Sequence, residues 1–268
     1  MTSSPRGAQG PVELDTSVPH SARIWNYWLG GKDHYAADRA VGDKVKQIYP
    51  DVVEVALASR AFLGRVVKFL AGEVGIRQFL DLGTGLPTAD NTHEVAQGLT
   101  PESKVVYVDN DPLVLVHARA LLTSDPLGVT DYIDADVRDP DEILRVASRT
   151  LDFTQPIAVM MLGILGNVAD DDHPGPAEIA GRLIGAVSAD SYLVINDSVV
   201  TPETVDAVQA ARSGGADYHL RTPEQIREFF TGLDLVEPGV VSTPLWRPTP
   251  GSEHTELNVY CGVARKPR

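Results

Sequence analysis

Apolar residues along this chain switch between two periods, and the switching lays out its elements. Short, nearly continuous apolar runs mark strands at Phe79 to Leu82, Val105 to Val108, Thr130 to Ile133, Ile157 to Leu162 and Ser191 to Asn196. Ile157 to Leu162 is apolar throughout, as expected of a central parallel strand covered on both faces. Between the runs, apolar positions fall three and four apart, the helical period. Val114, Leu115, Ala118, Leu121 and Leu122 make one such face; Ile179, Leu183 and Val187 make another. The pattern predicts a further helix over Ala89 to Leu99.

The helix starts are marked by polar caps. Asp111-Pro112, Asp139-Pro140 and Thr201-Pro202 pair a capping side chain with a proline in the first turn, where no N–H is needed. Thr222 and Gln225 have the spacing of a capping box for a helix ending near Gly232. Two last strands follow, Leu235 to Val241 and Leu257 to Ala264. No crossover helix joins them, so the final strand is expected to pair antiparallel.

A helical segment precedes the first strand. Ile24, Trp25, Trp28 and Leu29 share one face, stopped by Gly30 and Gly31, with the two tryptophans expected in the core. Two more helices fill Ala36 to Ile48 and Asp51 to Leu70, separated by Pro50. The sum is an α/β fold, a doubly wound sheet of seven strands with a helical N-terminal extension. Residues 1–19, rich in Pro, Gly and Ser, read as a flexible tail, 20–72 as a helical cap and 73–268 as the core. In an open sheet of this kind, ligands sit beyond the carboxyl ends of the strands, where such a cap can roof them.

Charge narrows the function. The 268-residue chain carries a formal net charge of -14, which argues against nucleic acid and against anionic membranes as partners. Its single cysteine, Cys261, cannot close an intrachain disulfide and sits in an apolar run, which fits a reducing, cytoplasmic setting. No apolar run approaches the roughly 20 residues of a membrane span. A homodimer is one arrangement the residues leave open.

The candidate chemistry centres on Phe79-Leu-Asp-Leu-Gly-Thr-Gly-Leu-Pro-Thr88. Gly83, Thr84 and Gly85 form a tight turn after a strand, where backbone can approach a ligand and a following helix offers free N–H groups. Asp109 ends the next strand, 24 residues beyond Gly85, and an acid there can hydrogen-bond both hydroxyls of a ribose. A nicotinamide dinucleotide fits less well, because Thr88 stands where the third glycine of its fingerprint is expected. A phosphate-binding P-loop lacks its Gly-Lys-Ser/Thr.

These motifs, together with Ala22-Arg-Ile-Trp-Asn-Tyr-Trp-Leu-Gly-Gly-Lys-Asp-His-Tyr35, Val106-Tyr-Val-Asp-Asn-Asp-Pro112, Asp134-Ala-Asp-Val-Arg-Asp-Pro140 and Trp246-Arg-Pro248, resemble class I S-adenosylmethionine-dependent methyltransferases. More closely, the chain resembles an actinobacterial family of predicted methyltransferases of unassigned substrate, over roughly Val18 to Arg265. The resemblance implies a Rossmann-like methyltransferase sheet, S-adenosylmethionine as cofactor and a small-molecule methyl acceptor. It places Gly83 and Gly85 against the methionine portion, Asp109 and Asn110 at the ribose, Asp136 and the backbone of Val137 at the adenine, and Asp81 at the turn or the amino-acid end. One departure follows the fourth strand, where Gly166-Asn167 replaces an expected histidine and aromatic residue.

The cluster after the first helix supplies the remaining candidates. Arg23 or Lys32 can pair with the cofactor carboxylate, and Gly31 lets backbone close on it. His34, Tyr27 and Tyr35 are the candidate bases for proton removal from an oxygen or nitrogen acceptor. Trp246 is assigned either to the substrate pocket or to packing of the lid. His93, His117 and His173 are expected on helix or loop surfaces, and no metal site is expected, the run Asp170-Asp-Asp-His173 reading as a solvated loop. Two other functions stay open at this point: a nicotinamide-dependent oxidoreductase on a similar sheet, and a non-catalytic S-adenosylmethionine-binding protein.

Overall fold

The computed structural model describes residues 15–87, 90–121, 124–249, 251 and 254–268. The tail expected over 1–19 falls outside the described residues for 1–14, as do Thr88, Ala89 and Leu122.

Three helices come first. Helix α1 (Ser21–Trp28) starts where the His20 side chain accepts from the Ala22 N–H, and Gly30, at φ +76°, ends it. Helix α2 (Ala36–Ile48) begins at Tyr35, whose N–H donates to Asp38 Oδ2 at 2.7 Å. Asp38 is fully buried and also takes the His20 N–H, so one carboxylate ties α2 to the start of α1. Helix α3 (Val52–Lys68) begins just after Pro50 and widens into a π-turn (Phe69–Val74) before Gly75 stops it at φ +89°.

The sheet contains β1 (Gln78–Leu82), β2 (Lys104–Asp109), β3 (Val129–Asp134), β4 (Ala158–Leu162), β5 (Tyr192–Ser198), β6 (Asp234–Leu235), β7 (Val241–Ser242) and β8 (Val259–Arg265). Its order is β3-β2-β1-β4-β5-β8-β6, with β7 also on β8. The first five strands are parallel, and β8 runs antiparallel to β5, as its helix-free connection requires. The strand expected over Leu235 to Val241 is instead the two short pieces β6 and β7, so that among the described residues the sheet has eight strands rather than seven. Pro238 between them has no N–H to give a ladder, and Gly239 turns at φ +89°.

Helices α4 (Thr92–Leu99), α5 (Pro112–Leu121), α6 (Pro140–Ala147), α7 (Pro176–Ala186), α8 (Pro202–Arg212) and α9 (Pro223–Glu228) alternate with or follow the strands. Four of the expected caps are present: Asp111 on Leu113, Asp139 on Glu142, Thr201 on Thr204 and Thr222 on Gln225. Helix α4 starts at Thr92 rather than Ala89, because Asn91 and Glu94 close a capping box there.

Two apolar layers cover the sheet. Leu80, Val106, Met161 and Ile195 face Ile143 of α6 and Ile179 and Leu183 of α7. Phe79, Val105, Met160 and Val194 face Phe62 and Val66 of α3 and Ala96 of α4. Trp246 belongs to this second layer, fully buried edge-on against Phe62 at 5.3 Å and Phe69 at 5.8 Å. It does not line the cavity; it packs against α3 of the helical cap. His93 is also buried rather than on a surface: Tyr107 on the neighbouring strand accepts from its N–H at 2.8 Å and meets its Nδ1 at 2.9 Å.

Candidate active site

The carboxyl ends of β1 to β4, helices α1 to α3 above them and α8 at the side enclose a cavity of about 400 Å³. Its floor is the turn after β1. Gly83 sits at φ +69°, donates to Val108 O at 2.8 Å, and would place a Cβ 2.7 Å from Ile164. Only glycine fits there. Gly85 sits at φ +65° with open space where a side chain would be. Its N–H donates to Asp109 Oδ2 at 2.9 Å.

Asp109 is thereby fixed at the tip of β2. Its Oδ1 takes the Asp111 N–H at 2.9 Å, and only 8% of the residue is exposed. Burial raises its carboxyl above the ordinary range, against the pull of those two N–H groups. A carboxylate offers about four lone-pair directions, so two remain for hydroxyls on the cavity side. Asp81 is likewise buried, accepts from Thr92 Oγ1 at 2.6 Å, and burial pushes its pKa up to about 6. Asp136 is held open at the rim, where Arg138 donates to both its oxygens at 2.9 Å and Asn110 Nδ2 approaches at 3.3 Å. Arg138 holds its carboxyl below the ordinary range.

These acceptors and spaces are compatible with an adenosyl sulfonium: bare backbone at Gly85, the fixed acid Asp109 and the accessible acid Asp136 all line one cavity. Arg60 of α3 lines it too, beside Asp81, and donates to Asn91 Oδ1 at 2.9 Å.

Comparison with known proteins agrees. The S-adenosyl methyltransferase family matches residues 7–267. The chain belongs to this family. A DUF574 family protein from Streptomyces avermitilis MA-4680 is 40% identical, with a TM-score of 0.90 over 95% of this chain and 100% of that one. A candidate methyltransferase from Thermobifida fusca YX is 42% identical, with a TM-score of 0.88 over 98% of this chain and 100% of that one. An O-methyltransferase family protein from Burkholderia thailandensis is 16% identical, with a TM-score of 0.53 over 81% of this chain and 58% of that one, which speaks for the fold alone. No curated protein matches. The cofactor of this methyltransferase is therefore S-adenosylmethionine rather than a nicotinamide dinucleotide.

The expected site residues divide in two. Asp81, Gly83, Gly85, Asp109, Asn110, Asp136 and Val137 line the cavity. Arg23, Gly31, Lys32, Tyr27, His34 and Tyr35 lie off its wall. Arg23, 5% exposed, donates from Nε to Asp111 Oδ2 at 3.1 Å, with its guanidinium 5.7 Å from the Tyr35 ring centre. Gly31 packs against Asn26, where a Cβ would meet the side chain at 2.3 Å, and Lys32 is exposed. Tyr27 donates to Asp43 at 2.5 Å, and His34 Nε2 sits 3.1 Å from Gly31 O. Trp25 and Trp28 pack edge to face at 5.8 Å and line the cavity, so they are wall as well as core.

Several groups carried no sequence signal. Arg60 lies mid-helix in an ordinary amphipathic pattern. Tyr218 comes from the loop after α8; its ring lines the cavity and covers Gly166, where a Cβ would come within 2.1 Å of it. Its hydroxyl donates to Asp197 at the end of β5. Burial pushes the Asp197 carboxyl up to about 6. Arg221, 2% exposed, anchors the loop after β4 through Leu165 O, Val168 O and Asp170. The run Asp170 to His173 is thus partly a docking point for that arginine.

Proposed function

We propose that this methyltransferase passes the methyl group of S-adenosylmethionine to a small-molecule acceptor held beneath α1 to α3. The observation that carries this reading is the continuity of the cavity, which runs from the glycine turn and Asp109 to an apolar space under the helices. The cofactor supplies a methyl group already activated by its sulfonium charge. The chain then has to hold the acceptor in line and keep water away, and positioning of this kind supplies much of the rate.

Asp109 would hold the ribose hydroxyls, Asp136 and the Val137 backbone the adenine, and Arg60 the carboxylate of the amino-acid end. Gly85 lets the backbone lie close. Trp25 and Trp28 roof the space and exclude solvent. For an oxygen or nitrogen acceptor, Tyr218 would take the departing proton on its phenol oxygen while its own proton passes to Asp197. Tyr27, His34 and Tyr35 are not given that role, because none lines the cavity. The buried free thiol of Cys261 supports a reducing, cytoplasmic setting, and among the described residues no helix is long and apolar enough to cross a membrane.

Calorimetric titration with S-adenosylhomocysteine tests the reading. Wild-type protein is expected to bind it, and Asp109→Ala to weaken binding by about tenfold or more, the equivalent of one or two hydrogen bonds to a charged group. No binding by folded wild-type protein would end it.

A further inference from the structure

The cavity has a second half that the cofactor motifs do not explain. Beyond the strand tips it opens into a chamber walled by Trp25 and Trp28 of α1, Val45 of α2, Val52 and Val55 of α3, and Ala207 of α8. All of these lie in or against one apolar cluster. The charged side chains lining the cavity sit elsewhere. Asp81 and Asp109 are at the strand ends with Arg60 beside Asp81, Asp136 is neutralised by Arg138 at the rim, and Asp217 is exposed.

Two hydroxyls interrupt this apolar wall. Ser59 and Tyr49 both line the cavity, 7% and 6% exposed; Asn258 is the hydrogen-bonding neighbour of Tyr49, while Ser59 Oγ makes no hydrogen bond among the described residues. A buried hydroxyl without a partner costs about 1–3 kcal/mol. In a wall otherwise made of tryptophan, valine and alanine, the unpartnered Ser59 hydroxyl is explained by a ligand that satisfies it.

We infer that the acceptor is an uncharged, largely apolar small molecule, its body seated among Trp25, Trp28, Val45, Val52, Val55 and Ala207 and a polar group bonded to Ser59. This rests on the methyltransferase reading above and adds the class of substrate. A charged acceptor would have to leave water for a wall with no counter-charge, a cost of several kcal/mol. A neutral ring system loses nothing comparable and gains the burial of its own apolar surface.

The test uses a matched set of probes on protein saturated with S-adenosylhomocysteine. The neutral dye N-phenyl-1-naphthylamine reports on the chamber by its fluorescence, and 2-naphthol, 2-naphthoate and 2-naphthylmethylammonium compete for it with the same body and different charge. The neutral naphthol is expected to displace the dye at least about tenfold better than either ion. Ser59→Ala should weaken 2-naphthol by a few fold while leaving naphthalene unchanged. Ala207→Phe, which fills the chamber, should abolish dye binding with S-adenosylhomocysteine affinity intact, the control that this variant folds. Absence of dye binding, equal or better binding of an ion, or an Ala207→Phe protein that still takes the dye would overturn the inference. Failure to bind S-adenosylhomocysteine is a separate result, which would overturn the cofactor reading underneath it.

Discussion

Tyr218 donates its hydroxyl to one oxygen of Asp197, while the other oxygen of Asp197 is buried without a hydrogen-bond partner among the described residues. A carboxylate left half-satisfied in this way is a better proton acceptor than one in water, and burial sets its pKa at about 6. With an oxygen or nitrogen acceptor, turnover should rise with pH through about 6 as Asp197 ionises. Tyr218→Phe should lower kcat by about 10²–10⁴, the usual worth of a positioned acid or base, without changing S-adenosylhomocysteine affinity. A wild-type kcat in Tyr218→Phe would remove the relay.

The same group makes a statement about stability. The native pKa of Asp197 lies above its unfolded value near 4, so the folded state holds a proton that the unfolded state releases. Its contribution is full below pH 4 and is lost as pH rises through 6. Asp197→Asn removes the titration. Relative to wild type, this variant should therefore melt higher at pH 7.5 than at pH 4.5, by up to about 3 kcal/mol of differential stability. A difference independent of pH between the two proteins would contradict it. Asp81, raised to about 6 by burial, adds a term of the same sign to the wild-type curve.

Arg60 is assigned the carboxylate end of the cofactor, and a truncated ligand isolates that role. Arg60→Met should weaken S-adenosylhomocysteine about tenfold, within the range for a charge-assisted hydrogen bond. It should leave 5′-methylthioadenosine, which has no amino-acid end, unchanged. Equal losses for both ligands would point to a role in the wall of the cavity alone.

Arg23 makes the opposite prediction. It is buried and pairs with the fully buried Asp111, with Asp38 4.0 Å away. Removing one partner of a buried pair leaves the other charge uncompensated, so Arg23→Met should destabilise by about 3 kcal/mol. Below its lowered Tm the variant should keep its affinity for S-adenosylhomocysteine; a loss of affinity in folded protein would restore Arg23 as a cofactor ligand.

The elements were legible because local signals dominate them. Pro50 separates α2 from α3, and Asp111-Pro112, Thr201-Pro202 and Thr222 with Gln225 each start a helix by chemistry contained in a few residues. The Gly83 turn and Asp109 were legible for the same reason, since a strand, a turn and an acid at a fixed separation define where they meet. What could not be read was rotation and reach. Nothing in the periodicity of α3 says that Arg60 faces the cavity, or that a loop fifty residues downstream of Gly166 lays Tyr218 over it. The residues of 31–35 looked like a site because they are dense in chemistry. Two of them are engaged locally instead, His34 through its ring with Gly31 and Arg39, and Tyr35 through its backbone N–H with Asp38. His93 was misplaced because Tyr107, its buried partner, lies on another element.

The connection from Asp109 to the helical roof runs through two bonds. Asp109 takes the backbone N–H of Asp111, and the Asp111 side chain takes Arg23 of α1. The acid proposed for the sugar and the helical cover proposed for the acceptor are therefore neighbours along one polar thread. On the reading proposed above, donor and acceptor would share one anchor, the tip of β2, instead of resting on separate parts of the fold.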